Sequence, residues 1–328
     1  MKKIILVALA AVGLAACATE DTIVTPKGNA IAFGDAFVDN ATKAIIGSAN
    51  DIQGFTVWGN VQGTNLVALY GDSGASVTRD SKNLGVAWNC SETRYWTPSC
   101  TFNFTAIANG RGKTITNGIP TEIEYTATPA DPSDLIYGVA TATTDASSVP
   151  TGDVVDVTAP ATASVVKFTM NHLLSRVKVS FANALDAEAT DYRYVISNVK
   201  VVSAGSGTYT IANNSWTLGN DVDFAYSTKT YPLTLTAAAT TDCGAQLVIP
   251  TSPVDLVFTY ALELKTGTDT WTAINTATVT KENIIASPVK NYSYNVTVEL
   301  KAGAKIDFTV NATNGLVDYT NGGDITIQ

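Results

Sequence analysis

The first residues able to do chemistry are those that end the N-terminal segment, Leu14-Ala15-Ala16-Cys17. They follow Met1-Lys2-Lys3 and an apolar run from Ile4 to Leu9, an order typical of a secretory signal that ends in a bacterial lipobox. We therefore expect residues 1–16 to be removed, Cys17 to be lipidated and residues 17–28 to form a tether. Because the apolar run is too short to span a bilayer, acyl chains on Cys17 would anchor the protein to the membrane. The alternative is an ordinary cleaved signal beside a coincidental cysteine.

Residues for catalysis are harder to find. The one histidine, His172, lies in Met170-Asn171-His172-Leu173-Leu174-Ser175 with no carboxylate nearby in the sequence. A packed or hydrogen-bonded structural histidine is therefore favoured over a catalytic one. The H-E-x-x-H, G-x-S-x-G, Walker A and C-x-x-C patterns are absent. The sequence predicts no catalytic residue, no metal site and no cofactor, and an extracellular hydrolase is the least favoured function.

Beyond Cys17 the cysteines are Cys90, Cys100 and Cys243, an odd number in a compartment that permits disulfides. Cys90 and Cys100 flank Arg94-Tyr95-Trp96-Thr97-Pro98, which could turn a hairpin, so a bridge between opposite strands is one expectation. Buried free thiols are the other.

Five tryptophans are scattered along the chain: Trp58, Trp88, Trp96, Trp216 and Trp271. Trp96 lies beside Tyr95 and close to Pro98, in a segment that resembles a loop. Exposed aromatic rings can stack on sugars, so Trp96 suggests a second candidate function, a surface glycan-binding lipoprotein of an uptake system. Packing in a core or at a sheet edge is the favoured role for these rings.

Composition indicates which elements would position these residues. The chain has 328 residues, a net charge of −9 and a pI of about 4.6, which argues against nucleic acid as a partner. Charged residues are only 15%, while Thr, Val, Ala, Asn and Gly are abundant, and this favours strands over helices. The predicted class is all-β, in a chain long enough for two domains of about 150 residues each.

Alternation of apolar and polar residues marks individual strands in the second half of the chain. The sharpest runs are Tyr292 to Leu300, Leu256 to Leu264, Val177 to Phe181 and Ile306 to Val310. Turn signals such as Asn117-Gly118 separate such runs, and short turns join antiparallel strands, which predicts stacked β-sandwiches.

The stretch from Thr141 to Ala163 is rich in Thr, Ala, Ser, Asp and Pro. We place a domain boundary within it, near residue 160, which predicts an N-terminal domain at 29–160 and a C-terminal domain at 161–328. A helical turn is expected around Ala184 to Ala189.

Several segments, taken in order, resemble those of a known family. The most specific runs from Phe168 to Phe181 and includes the sequence around His172. The others are the lipobox, Asn40 to Ala44 followed by Gly54 to Gly59, Tyr95 to Pro98 leading to Phe102 to Ala106, and Asp134 to Gly138. Together they resemble the fimbrillin family of Bacteroidetes, the subunits of lipoprotein-derived type V pili.

This resemblance implies two tandem transthyretin-like antiparallel β-sandwich domains in a lipoprotein precursor carried to the outer membrane and the cell surface. It implies a structural, non-enzymatic pilus subunit, whose partners are other subunits and which supports adhesion to a host or bacterial surface ligand. In the family, a protease removes the N-terminal strand, and a strand of a neighbouring subunit fills the groove that opens.

The residues here are compatible with such donor-strand exchange. Ile31 and Phe33, with Phe37 beyond, form a short alternating strand, and its loss would bare an apolar groove with unpaired backbone groups. Candidates for the incoming strand lie near the C-terminus: Ile306, Phe308 and Val310, or Ile325 and Ile327.

The expected cleavage site departs from the family pattern. Maturation in the family typically uses an arginine in the early linker, whereas the first arginine here is Arg79. Lys43 occupies the matching place and is the predicted site, with Lys27 as the second choice. The alternative is a subunit that is not cut and serves as an anchor that keeps its lipid.

Overall fold

The computed structural model describes residues 30–34, 37–38, 52–81, 87–97, 100–130, 133–141, 157–158, 165–185, 189–226, 233–235, 240–301 and 306–314. These residues form strands, turns and loops without an α-helix, which confirms the predicted all-β class. Within the same ranges no helix is long and apolar enough to cross a membrane. The helical turn expected around Ala184 to Ala189 is not formed at residues 184, 185 and 189, the three that are described there.

In chain order the strands are β1 (Ala32–Phe33), β2 (Phe37–Val38), β3 (Gly54–Gln62), β4 (Leu66–Ala68), β5 (Ala75–Thr78), β6 (Asn89–Cys90), β7 (Thr101–Ala108), β8 (Arg111–Thr116), β9 (Ile119–Thr126), β10 (Ile136–Thr141), β11 (Val157–Thr158), β12 (Val165–His172), β13 (Ser175–Asn183), β14 (Tyr192–Ala204), β15 (Ser206–Thr210), β16 (Ser215–Leu218), β17 (Asp221–Ala225), β18 (Leu233–Leu235), β19 (Thr240–Val248), β20 (Val254–Lys265), β21 (Trp271–Ile285), β22 (Tyr292–Leu300) and β23 (Asp307–Asn314). The four alternating runs fall in or against β13, β20, β22 and β23. In β20, for example, Leu256 and Phe258 are fully buried while Val257 between them is partly exposed.

The strands form four sheets. The ten-stranded N-terminal sheet has the main order β1-β12-β10-β7-β3-β5-β6. A four-stranded sheet of order β16-β15-β9-β8 takes two strands from each half of the chain, and we call it the shared sheet. The remaining sheets, β19-β13-β22-β23 and β17-β14-β20-β21, bury their apolar side chains in one common core and so form a C-terminal sandwich.

The N-terminal sheet extends beyond the boundary expected near residue 160. β12 pairs with β10 from Ile136↔His172 to Thr141↔Lys167, and its side chains Phe168 and Met170 are fully buried. The change in composition between residues 141 and 163 therefore falls between two strands that pair with each other. It does not mark the end of this sheet, which continues to His172.

Three hydrophobic cores hold these sheets together. The N-terminal core lies in the ten-stranded sheet, and the C-terminal core fills the sandwich. A third, which we call the junction core, collects residues from both halves, among them Trp58, Ile123, Leu135, Leu173, Leu174, Tyr209 and Leu247. The shared sheet and the junction core together join the halves through both backbone and side chains.

Candidate functional site

The N-terminal segment, residues 30–34, lies beside β12. β1 runs parallel to β12, with Ala32 aligned to Val165 and Phe33 to Val166. The Gly34 amide then donates a hydrogen bond to the Val166 carbonyl at 2.9 Å. The segment therefore completes the β12 side of the N-terminal sheet.

The same segment is also bonded on its other side. Ala30 forms an antiparallel bridge with Tyr95, and the Ile31 amide donates to the Arg94 carbonyl at 2.8 Å. Arg94 and Tyr95 follow β6, which lies at the opposite end of the sheet order from β1. The segment thus links the two ends of the N-terminal sheet. We call the space that it fills, between Arg94–Tyr95 and Val165–Val166, the N-terminal slot.

The segment fills this slot with apolar side chains. Ile31 and Phe33 are each only 5% exposed, and both belong to the N-terminal core. The Phe33 ring stacks on Phe168 at 6.0 Å and meets Phe104 and Phe55 edge-on at 6.0 Å and 6.3 Å. Burial of each such side chain contributes roughly 1.5–3 kcal/mol, so these two residues account for much of the segment's attachment.

Arg94 fixes the flank of the slot opposite β12. Its guanidinium donates to the Leu69 carbonyl, pairs with Glu92 at 2.7 Å and lies 5.8 Å from the centre of the Tyr70 ring. The ion pair itself adds little, because the two side chains are 43% and 39% exposed. The contacts with Leu69 and Tyr70 hold the flank in position.

The chain is fixed again at Ile52, on the other side of the predicted cleavage site. Arg79 is 2% exposed, and its Nε and Nη2 atoms donate to the Ile52 carbonyl at 2.9 Å and 2.7 Å. The Arg79 amide donates to the Gln53 carbonyl, and its guanidinium lies 4.5 Å from the centre of the Trp88 ring. In the sequence Arg79 stands out only as the first arginine, because no local pattern identifies a carbonyl 27 residues away as its partner.

The other residues predicted for the N-terminal exchange are only partly described. Phe37 lies in β2, whose backbone pairs in parallel with β12 at Thr169, and its side chain is outside the described residues. Cys17, Lys27 and Lys43 also lie outside them and stay predictions.

The donor candidates fall into two groups. Phe308 and Val310 lie in β23, which pairs with β22 over the full register from Tyr292↔Asn314 to Glu299↔Asp307. Val310 is 3% exposed, while Ile306 and Phe308 are partly buried against the C-terminal core. β23 is the edge strand of its sheet. Ile325 and Ile327 lie outside the described residues and stay predictions.

Comparison with known families identifies the chain. Residues 42–314 match the fimbrillin-like family. The chain belongs to that family. This confirms the resemblance seen in the sequence, and a fimbrillin-like protein is a structural protein of the cell surface rather than an enzyme.

One solved structure shares this fold. The fimbrillin-like chain is similar to a fimbrial protein from Bacteroides vulgatus ATCC 8482, with a TM-score of 0.57 and 14% identity over 87% of this chain and 99% of that chain. It also matches the fimbrial anchor protein Mfa2 from Porphyromonas gingivalis, with a TM-score of 0.37 and 11% identity over 89% of this chain and 99% of that chain. At 14% identity, the likeness to the Bacteroides vulgatus protein shows a shared fold and no more. Comparison with curated proteins gives no match.

His172 of this fimbrillin-like chain is part of a buried pair. Its Nδ1 atom donates to Asp134 Oδ2 at 2.7 Å, and both side chains are fully buried. Around the pair, the Leu173 amide donates to the Leu135 carbonyl at 3.0 Å, and Asn109 Nδ2 donates to the Asp134 carbonyl at 2.8 Å. Asp134 lies 38 residues from His172, so sequence spacing could not reveal it. Full burial beside the junction core makes this a structural pair.

The bridge between Cys90 and Cys100 is not formed, because Cys90 is a free thiol. The expected hairpin is absent: Cys90 lies in β6 and Cys100 precedes β7, and β5 and β3 separate these strands in the sheet. The alternative of free thiols, which the sequence left open, holds for Cys90, which is half-buried. Cys243 is buried. Desolvation raises the pKa of the Cys90 thiol.

Trp96 does not form a sugar platform, because it is 6% exposed and packs in the N-terminal core. Its ring meets Phe102 at 4.8 Å and Phe104 at 6.0 Å, which is the core packing favoured from the sequence. The glycan-binding alternative therefore loses the residue that suggested it. Within the described ranges no group of three His, Cys, Asp or Glu side chains could hold a metal ion.

Proposed function

We propose that this protein is a structural subunit of a cell-surface pilus, exported as a lipoprotein precursor with Cys17 lipidated. Proteolysis after Lys43 removes the segment that fills the N-terminal slot, and a strand of another subunit takes its place. The observation that carries this proposal is the doubly bonded segment at residues 30–34, whose Ile31 and Phe33 side chains lie in the N-terminal core.

Once emptied, the N-terminal slot would favour the binding of another strand. The Arg94 and Val166 carbonyls would lose the amides of Ile31 and Gly34, and the Phe33 pocket would open to water. Unpaired backbone groups on both sides of an apolar groove are costly to leave exposed, and an extended strand satisfies them at once.

The position of the cleavage site follows from the slot. Lys27 precedes the slot segment, so a cut there would leave residues 30–34 attached to the subunit. Lys43 lies after that segment and before Ile52, which Arg79 holds. A cut after Lys43 would therefore release the segment and the lipid together, while β3 stays anchored. This favours Lys43 over Lys27.

The incoming strand must present apolar side chains two residues apart, as Ile31 and Phe33 do. Ile325 and Ile327 have this spacing and lie beyond the last described strand. Phe308 and Val310 have it too, but their donation would break the pairing of β23 with β22. We therefore favour the segment with Ile325 and Ile327 as the donor, with a neighbouring subunit as the partner and the outer membrane as the site of the precursor's anchor.

The test compares two trimmed forms of a non-lipidated chain that differ in the slot segment. A chain that begins at Ala44 should form filaments visible by electron microscopy, whereas a chain that begins at Gly28 should elute as a monomer in size-exclusion chromatography. Ile325→Asp together with Ile327→Asp should abolish polymerisation of the Ala44 form. A monomeric Ala44 form that also fails to bind a peptide of residues 304–328 would contradict the proposal.

N-terminal sequencing of the protein from cells distinguishes polymerising subunit from anchor. A start at Ala44 supports the polymerising subunit, and a blocked, lipidated Cys17 supports the anchor.

A further inference from the structure

Trp271 is placed differently from the other tryptophans of the chain. Trp58, Trp88, Trp96 and Trp216 all lie in or against the N-terminal or junction core, and the Trp58 indole donates to the Asp72 carbonyl at 3.0 Å. Trp271 is partly exposed and belongs to none of the three cores. Burial in a core therefore does not account for the position of Trp271.

A salt bridge holds the Trp271 ring from one face. The Arg193 guanidinium lies 4.3 Å from the ring centre, and its Nε and Nη2 atoms each lie 2.6 Å from Glu263 Oε2. Arg193 and Glu263 are only 30% and 19% exposed, so the pair is shielded more than a typical surface ion pair. Among the described residues, no other ring or cation lies against the indole.

Three strand ends place these side chains together. Arg193 at the start of β14 aligns with Glu263 near the end of β20, and Lys265 aligns with Trp271 at the start of β21. The intervening turn is closed by the Thr266 amide, which donates to the Thr270 carbonyl at 2.9 Å. A rigid sheet thus presents the cluster beside an exposed turn that carries hydroxyl and carboxylate groups.

We propose that Trp271, Arg193 and Glu263 form a binding site for a neutral hexose of a surface glycan. The C–H face of a pyranose packs on an indole, while a paired guanidinium and carboxylate offer donors and acceptors to the sugar hydroxyls. Arg193 is already neutralised by Glu263, and the chain carries a net charge of −9, so acidic sugars are disfavoured. A single partly exposed apolar residue is ordinary. Here Arg193 lies against the ring and Glu263 holds Arg193, so the three side chains are already in place before a ligand arrives.

This site is independent of strand exchange. The N-terminal slot is flanked by β12 and by the residues after β6, whereas the hexose site is built from β14, β20 and β21. Filling the slot therefore leaves the hexose site unchanged, and each of the two proposals can fail without the other.

The experiment titrates the uncut chain without its signal, residues 17–328 with Cys17→Ser, with lactose, mannohexaose and maltohexaose by isothermal titration calorimetry. At least one should bind, and Trp271→Ala and Arg193→Ala should each weaken that binding by about tenfold or more. Trp271→Phe should retain most of the affinity, because an aromatic face remains. Tyr192→Ala is the matched control. Tyr192 is 43% exposed, directly precedes Arg193 and lies on the opposite face of β14.

Failure of all three sugars to bind overturns the proposal, as does equal binding by Trp271→Ala and the unmodified chain. Preference for polygalacturonate over the neutral sugars would overturn the predicted ligand class. Circular dichroism spectra that match the unmodified chain establish that each variant is folded.

Discussion

At the scale of single residues, Phe33 helps to keep the N-terminal segment in place. Its ring is surrounded by Phe55, Phe104 and Phe168, whereas its neighbour Ala32 faces solvent. The side-chain contribution to the segment's attachment therefore comes from the face that carries Ile31 and Phe33, and substitutions on the opposite face should cost little.

Phe33→Ala in the uncut chain should lower the free energy of unfolding by about 3 kcal/mol, because it leaves a cavity among aromatic rings. Urea denaturation followed by tryptophan emission measures the change. Ala32→Ser is the control and should be nearly neutral. If Phe33→Ala is as stable as Ala32→Ser, the ring does not hold the segment.

Asp134→Asn should destabilise the protein by about 1–3 kcal/mol, because it replaces the carboxylate acceptor of a fully buried hydrogen bond from His172 with a neutral amide. Thermal unfolding by calorimetry checks this, with Glu282→Gln as a control at an exposed carboxylate. A double-mutant cycle with His172→Leu should give a coupling energy well above that of surface pairs. Additive effects would show that the pair is not energetically coupled.

At the scale of elements, the turn between β8 and β9 depends on one glycine. Asn117 and Gly118 both have positive φ values, 53° and 76°, as a two-residue hairpin of this type requires. A Cβ atom on Gly118 would also lie 2.7 Å from the Ala68 Cβ and 2.9 Å from the Gly59 carbonyl oxygen. The turn therefore packs too closely on β3 and β4 for any other residue.

Gly118→Ala should cost more than about 1 kcal/mol of stability, because strain in φ and a steric clash act together. Gly71→Ala is a matched control, since no heavy atom lies within 4 Å of a Cβ built there. Chemical denaturation of both variants tests the difference. Equal midpoints would show that the turn can relax.

Elements were more predictable from the sequence than their partners. Alternation located β20 and β22, and Asn117-Gly118 located a hairpin, since both signals are local. Strand pairing between distant segments has no such local signal. The pairing of β9 with β15 and the extension of the N-terminal sheet to β12 were therefore missed.

The candidate site shows the same division. The apolar spacing of Ile31 and Phe33 predicted a strand, and both residues are buried as that spacing suggests. The bonds from Ile31 to Arg94 and from Arg79 to Ile52 join residues far apart in the sequence, so only the fold reveals them.

At the scale of the whole molecule, the shared sheet couples the two halves of the chain. β15 pairs with β9 on one side, from Ser206↔Thr126 to Thr210↔Glu122, and with β16 on the other. The junction core lies against the same strands. We therefore expect the subunit to unfold in one cooperative step.

Thr208→Pro should divide calorimetric unfolding into two transitions, because proline in a central strand removes ladder hydrogen bonds. Thr208 aligns with Glu124 of β9 and Thr217 of β16, so the change weakens both pairings. Thr208→Val keeps the backbone amide and should retain one transition. A single transition in Thr208→Pro would mean that the junction core alone couples the halves.

The shared sheet also has a mechanical consequence for a fibre made of such subunits. Domains joined only by flexible linkers can bend relative to each other and absorb shear. In this subunit, backbone hydrogen bonds between β9 and β15 join the two halves of the chain. The drag force on an attached cell would therefore be transmitted along the fibre with little bending inside each subunit. Bending would then concentrate at the contacts between neighbouring units.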